Sequence, residues 1–324
     1  MKQIRSVAVI GAGIAGLACA STLQAAGLEV KVFEKSRGVG GRMSTRRADG
    51  WQCDHGAQYF TSSDPAFIDE VQRWLVAGAA APWPMRLASI GPQRTITMCN
   101  GSGRYVGTPR MTSPAAFLAE SLSIRLHTTV NTIERRDGLW HLSSLEHGAL
   151  GHGVDGLVLA APAPQTAHLA RGRGMSFEAR IAHATMLPCW AVMAQTNDTD
   201  PGFDAAFIEG SPLSWIACNN SKPRRDGQRT WLLHASAPWS QRHLEEPEEI
   251  VISELAAVFR EITGLSILTR TAHRWRYALG DASLTEGFLF DPDLQVGACG
   301  DWAHSNRVQG AWLSGRLLAR EILG

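Results

Sequence analysis

Three glycines and one acid carry the most definite chemistry in this 324-residue chain: Gly11, Gly13 and Gly16, then Glu34. The spacing is G-x-G-x-x-G. Gly11 permits a tight turn, Gly13 lets backbone N–H groups approach a pyrophosphate at the positive end of a helix, and Gly16 lets helix and strand pack closely. An acid at the end of the next strand accepts from a ribose hydroxyl. The elements needed to place these residues fall in the required order within roughly 30 residues. Residues 7–10 form a short β-branched run suited to a buried parallel strand, an amphipathic helix runs to about Ala26 and stops at Gly27, and Glu29–Phe33 reads as the second strand.

Directly after that unit comes "SRGVGGRMSTRR" at 36–47. Gly40 and Gly41 allow close backbone approach, and Arg42 offers a fork of donors to phosphate or nearby backbone. A nicotinamide-only dehydrogenase has no need of such a loop here, whereas an FAD extended across its domain needs further contacts to its diphosphate and ribityl chain. Arg46 and Arg47 are expected to be a solvated basic stretch.

The bulk numbers narrow the partners. With 31 Lys+Arg against 30 Asp+Glu the chain has no basic surplus of the kind that drives nucleic-acid binding, so a small-molecule partner is expected. Six cysteines are scattered without a C-x-x-C pair, and eleven histidines fall into no ligand pattern, so neither a disulfide framework nor a metal site is expected. Lys2 and Arg5 precede an apolar run ending in Ala18-Cys19-Ala20, as in a secretory signal, but cleavage there would remove the nucleotide loop. No run of about 18 apolar residues occurs elsewhere. The expectation is a cytoplasmic protein with no membrane partner.

Further along, 127–133 and 139–143 read as strands around an Asp137-Gly138 turn. Residues 157–160 are a buried strand stopped by Ala-Pro-Ala-Pro, and 294–298 are a last strand before Gly300-Asp301 and an amphipathic helix over 307–321. The middle, 166–287, lacks nucleotide-loop glycines and carries Trp190, Trp215, Trp231, Trp239 and Trp275 in strand-like runs, with a helix over 247–263. Most of these tryptophans are expected in the core. Trp275 and Tyr277 share one strand face and are the better site candidates, with Arg274 and Arg276 on the other. The basic stretch "NNSKPRRDG" at 219–227 reads as a solvated turn.

"VAVIGAGIAGL", "KVFEKSRGVGGRMSTRR" and "DHGAQYFT" (54–61) together resemble the flavin amine oxidase superfamily, and the last of them its renalase branch. "DGLVLAAPAPQ", "SPLSWIACNNSKP", "WLLHASAPWS", "AHRWRYA" and "GDWAHSNRVQGAWLSG" continue the resemblance along the chain. It implies an α/β fold: an FAD-binding Rossmann-like domain (1–58, 101–165 and 288–324) interleaved with a mixed-sheet α+β substrate domain (59–100 and 166–287).

It implies non-covalent FAD contacted by Gly11, Gly13, Ile14, Gly16, Glu34, Lys35, Gly41, Arg42, Gln58, Tyr59, Val130, Asp301, Val308 and Gln309. Tyr59, Phe60, Thr61, Trp275, Tyr277 and Trp302 would shape a substrate pocket. Asp301 would hold a ribityl hydroxyl, and the helix N-terminus at Val308-Gln309 would point its dipole at the flavin's pyrimidine edge. The implied reaction is oxidation of dihydronicotinamide isomers of NAD(P)H, chiefly the 1,2-dihydro form, by hydride transfer to flavin N5, with O2 reduced to H2O2.

Such a transfer depends on positioning and removes no proton, so no catalytic acid or base is expected, and none is evident in the sequence. His55 and His304 accordingly read as ordinary polar residues. Three places depart from the branch: Ala161 where relatives often have Thr, Thr108 where Lys is common, and the polar His304-Ser305-Asn306 before Arg307. Other readings are a flavin amine oxidase or desaturase acting on a small amine or ring substrate, a nicotinamide-only Rossmann reductase, and a redox-inactive FAD-binding protein.

Overall fold

The computed structural model describes residues 4–281, 284 and 286–324. Lys2, part of the leader-like pattern, lies outside the described residues. A six-stranded sheet takes its strands from both ends and the middle of the chain. Across the sheet they run Leu289–Asp291, Val296–Ala298, Gly156–Leu159, Ser6–Ile10, Glu29–Phe33 and Ser123–Arg125. All its pairings are parallel except the first.

Both faces of this sheet are covered, which is why its strands read as near-continuous apolar runs. Val7, Val9, Val30 and Val32 face the helices Ile14–Ala25 and Val308–Leu323, while Ala8, Ile10, Leu157 and Leu159 face the small sheet that contains Trp140. The two helices touch backbone to backbone: a Cβ on Gly315 would lie 2.0 Å from the Ala15 carbonyl oxygen, so only glycine fits there.

A seven-stranded sheet stands beside the first. Its order is Ile267–Gly280, Met186–Thr196, Thr230–Ala235, Leu213–Cys218, Ala205–Ile208, Leu87–Ile90 and Ile96–Cys99. It is antiparallel apart from the parallel pair Ala205–Ile208 with Leu87–Ile90, hence mixed. Helix Glu248–Thr263 packs on it, starting after Pro247 with Glu248 and Glu249 in its first turn and ending at the left-handed Gly264. Trp190, Trp215, Trp231 and Trp239 are buried in the cores on either side of this sheet, as their size dictates.

Several boundaries differ from the sequence expectations by one to three residues. The last strand begins at Val296 rather than 294, because Gln295 adopts a positive φ that breaks the ladder just before it. The hairpin strands are Val130–Arg136 and Leu139–Ser144, joined by Asp137 and Gly138 at φ 52° and 76°, the left-handed pair that a two-residue hairpin turn requires.

Candidate functional site

At the C-terminal edge of the six-stranded sheet, the chain leaves Ile10, turns at Gly11 (φ 107°) and enters the first helix at Ile14 with Gly13 as N-cap. A Cβ on Gly16 would sit 2.1 Å from the Gly11 carbonyl oxygen, so the turn and the helix can approach only without one. Gly13 has nothing within 4 Å of the Cβ position, which leaves open space above the N–H groups of the first helical turn. Glu34 is buried at the rim of that space. Its carboxylate accepts from Ala12 N and Ser36 N, each at 2.8 Å, which fixes both oxygens and leaves lone pairs for a diol. This cradle fits the adenosine diphosphate half of a dinucleotide.

The glycine-arginine loop closes over the cradle. Gly40 N donates to Ala12 O at 2.8 Å, and a bridge pairs Gly40 with Gly13. Arg42 then reaches across to Asp301: Nη1 and Nη2 donate to the two carboxylate oxygens at 2.9 and 2.5 Å, and Nη1 also donates to Ala278 O at 3.0 Å. One side chain thereby joins the cradle, the acid after the last strand and the strand Ile267–Gly280 of the second sheet. The helix Val308–Leu323 begins beside it. Gln309 accepts from Ser63 N at 2.7 Å and so ties that N-terminus to the segment before helix Pro65–Val76.

A cavity of about 2360 Å³ runs from Gly11 and Gly13, past Val130 and Asp301, to the floor of the seven-stranded sheet at Cys189, Ser214, His234 and Trp275. Tyr59, Phe60, Thr61, Trp275 and Tyr277 all line it. Tyr59 leans on Trp215 at 5.7 Å between centroids, with the Arg104 guanidinium 5.1 Å over its ring. Phe60 is mostly core, packed edge-on to Trp74 and stacked on Tyr105.

Three histidines complete the wall. The His55 ring stacks on Trp275 at 5.3 Å and meets His273 edge-on at 4.9 Å, and the His55 carbonyl accepts from Trp275 Nε1 at 2.9 Å and His234 Nε2 at 3.2 Å. A carbonyl can only accept, so His234 carries its proton on Nε2 and its lone pair on Nδ1. Burial pushes His55 and His234 down to about 4, with the neighbouring His273 and Arg46 adding to the effect on His55. His273 is lowered by burial as well. The three histidines are therefore uncharged near neutrality, and the positive charge of the cavity comes from its arginines.

Residues 9–74 match the family described as an NAD(P)-binding Rossmann-like domain. Over 50 residues the chain is 52% identical to a 4,4'-diapophytoene desaturase (4,4'-diaponeurosporene-forming) of Staphylococcus haemolyticus (strain JCSC1435), a match spanning 15% of this chain and 10% of the desaturase. Among solved structures, cyclohexylamine oxidase from Brevibacterium oxydans IH-35A superposes over 99% of both chains with a TM-score of 0.78 and 14% identity. A candidate protoporphyrinogen oxidase from Exiguobacterium sp. 255-15 superposes over 98% of both, with a TM-score of 0.80 and 13% identity. The chain has the amine-oxidase fold.

Within that fold, several site candidates take other places than the sequence suggests. Trp302 is fully buried in the core beneath the cavity, its Nε1 donating to Ala161 O at 3.1 Å, so it supports the wall without facing the pocket. The Gln58 side chain turns inward, donating to Asp54 O and Gly56 O, and does not line the cavity. Arg42 takes the backbone alternative, Ala278 O, and adds a carboxylate, Asp301, that the sequence did not suggest. The amine-oxidase fold also exposes what the sequence missed. His55 belongs to the cavity wall, Arg46 lines the cavity and donates to Ala272 O, and the basic stretch 219–227 is solvated only in part: Arg224 and Asp226 are exposed, but Lys222 and Arg225 are buried against Asp54. Lys35 sits exposed at the cavity mouth, and Ile14 and Val308 line it. No described helix is long and apolar enough to cross a membrane, and no group of metal-ligating side chains occurs among the described residues.

Proposed function

We propose that this protein binds FAD non-covalently and oxidises a dihydronicotinamide dinucleotide, chiefly the 1,2-dihydro isomer of NAD(P)H. In balance, the dihydro substrate, O2 and one proton give NAD(P)+ and H2O2. The observation that carries this reading is the charge of the cavity. Ten arginines and Lys35 line it, against only Glu34 and Asp301 among the described residues; Arg42 is paired with Asp301 and Arg274 and Arg276 share Glu245 outside the lining, which still leaves a surplus of positive charge. One FAD diphosphate engages part of that positive charge, and a second phosphate-bearing ligand suits the rest. A small amine, arriving as an ammonium ion, meets repulsion instead.

The geometry supports the following roles. The N–H groups of the first helical turn above Gly13 receive the diphosphate, Glu34 the ribose, and Asp301 a ribityl hydroxyl. The N-terminus of helix Val308–Leu323 offers its positive end to the ring. When bound, FAD supplies a ring nitrogen that accepts hydride. The chain need only orient the donor: Tyr59 and Trp275 offer flat faces, and His234 Nδ1 offers an acceptor to an amide N–H. With His55 and His234 held neutral, the wall neither takes nor gives a proton near pH 7, and hydride transfer asks for neither.

The test is anaerobic mixing of the yellow holoprotein with separated dihydronicotinamide isomers. The 1,2-isomer should bleach the flavin rapidly, the 1,4-isomer slowly, and air should restore the colour with peroxide released. A misplacement of about 1 Å between donor carbon and acceptor is worth roughly a hundredfold in rate, enough to separate isomers. Rapid bleaching by the 1,4-isomer, or by a simple amine and not the 1,2-isomer, would overturn the substrate assignment. A colourless protein would point to a nicotinamide-only reductase.

A further inference from the structure

We propose that Lys222 is a positioning residue that gives the cavity wall a net positive charge and so favours negative charge on the bound cofactor; this rests on the FAD reading above. Asp54 does not need Lys222. Arg225 donates to Asp54 Oδ2 through Nη2 at 2.9 Å and Nε at 3.2 Å, and anchors its remaining donors on the carbonyls of Gly107 and Pro109. The other carboxylate oxygen accepts from the Thr45 hydroxyl at 2.6 Å. That pair is charge-balanced and hydrogen-bonded by itself.

Lys222 adds a second cation to the same oxygen, at 3.1 Å, with both side chains fully inaccessible. One carboxylate cannot cancel two cations: burial lowers the Lys222 pKa and Asp54 opposes that fall, and while Lys222 keeps its proton one unit of positive charge stays buried. An uncancelled buried charge is costly, and a neutral donor would meet any purely structural need. The Lys222 ammonium lies 5.1 Å over the Trp83 ring, which solvates the cation without cancelling its charge, and its second hydrogen bond leads toward the cavity. Its Nζ donates to Gln58 Oε1 at 3.1 Å, and Gln58 in turn holds Asp54 O and Gly56 O, so the ammonium backs the loop whose His55, Gly56 and Tyr59 line the cavity.

The remaining titratable neighbours do not neutralise it. The Cys53 thiol is pushed up by burial and stays uncharged, and His234, facing the cavity from the adjacent strand, is lowered mainly by burial and further by Lys222 itself. In a site of low effective dielectric the surplus charge is felt across the wall.

The experiment compares holoprotein carrying Lys222→Met, Lys222→Gln and Lys222→Arg with the unaltered chain. It reads the flavin midpoint potential against a reference dye, the His234 ionisation by NMR, and the melting temperature. In Lys222→Met and Lys222→Gln, folding should persist because the Asp54–Arg225 pair remains. The reduced-to-oxidised ratio at fixed dye potential should fall about tenfold, what a unit charge does to another roughly 10 Å away at an effective dielectric of about 20. His234 should titrate above its value of about 4. Lys222→Arg should restore both readouts.

Full restoration by Lys222→Gln would show a hydrogen-bonding role and overturn the proposal. So would an unchanged potential in Lys222→Met, or a collapse of folding in all three variants. A chain that purifies without flavin would refute the FAD reading instead, and the His234 shift, which needs no flavin, tells the two failures apart.

Discussion

Replacing Asp54 by asparagine keeps the shape of the side chain and removes the one charge that stands between two buried cations. Its carboxylate accepts from Lys222 at 3.1 Å, Arg225 at 2.9 Å and the Thr45 hydroxyl at 2.6 Å, and none of the three charged side chains is accessible. Removing one partner of a buried ion pair costs about 3–5 kcal/mol, chiefly because the other charge is left without compensation. Two cations are abandoned here, which argues for the upper end. Lys222, whose pKa burial already lowers, can shed its proton and limit the loss. About 4 kcal/mol is the expected net, a large share of the 5–15 kcal/mol by which folded domains are stable.

Urea unfolding followed by tryptophan fluorescence measures it, and pH supplies the internal check. The two cations hold the Asp54 carboxyl below its ordinary range in spite of burial. The stability it contributes is therefore complete above about pH 4, its unfolded value, and is lost as pH falls through the lower folded value. The gap between the unaltered chain and Asp54→Asn should be widest at pH 7 and close on acidification. A variant within about 1 kcal/mol of the unaltered chain at pH 7, or a gap indifferent to acid, would refute the account.

Two further outcomes are expected. Glu34→Ala and Asp301→Ala should each weaken flavin retention by roughly ten- to a hundredfold, since each removes charge-assisted hydrogen bonds of about 1.5–3 kcal/mol; flavin released per chain on dilution measures it, and full retention in both would sink the assignment. Because His55 and His234 are lowered to about 4, the stability they contribute is intact above about pH 6.5 and drains away as pH falls toward 4, while the rate of flavin bleaching should stay level between about 6 and 8; a sigmoidal step in that interval would mean that one of them titrates during the reaction.

The dinucleotide cradle was legible because every part of it is local. Gly11, Gly13, Gly16 and Glu34 lie within one βαβ unit, and each is needed for a steric or hydrogen-bonding reason that a short window of sequence displays. The histidine wall was not legible, because His55, His234 and His273 come from a loop and two non-adjacent strands and meet only through the register of the seven-stranded sheet. No spacing rule reaches across 179 residues, the separation at which His234 finds the His55 carbonyl.

The stretch 219–227 failed for a different reason. Lysines and arginines in a turn are usually solvated, and only the buried Asp54, contributed by a hairpin strand some 170 residues earlier in the chain, makes it favourable for Lys222 and Arg225 to enter the interior. Trp302 erred in the opposite direction. An aromatic beside a cofactor acid suggests a pocket wall, but its indole N–H finds Ala161 O beneath the surface and the ring follows it inward. In each case side-chain chemistry was read correctly and its partner was not. The partner's position is a property of the assembled fold, so sequence windows locate the glycine-rich end of this cavity, and only the assembled sheets locate the histidine wall at its other end.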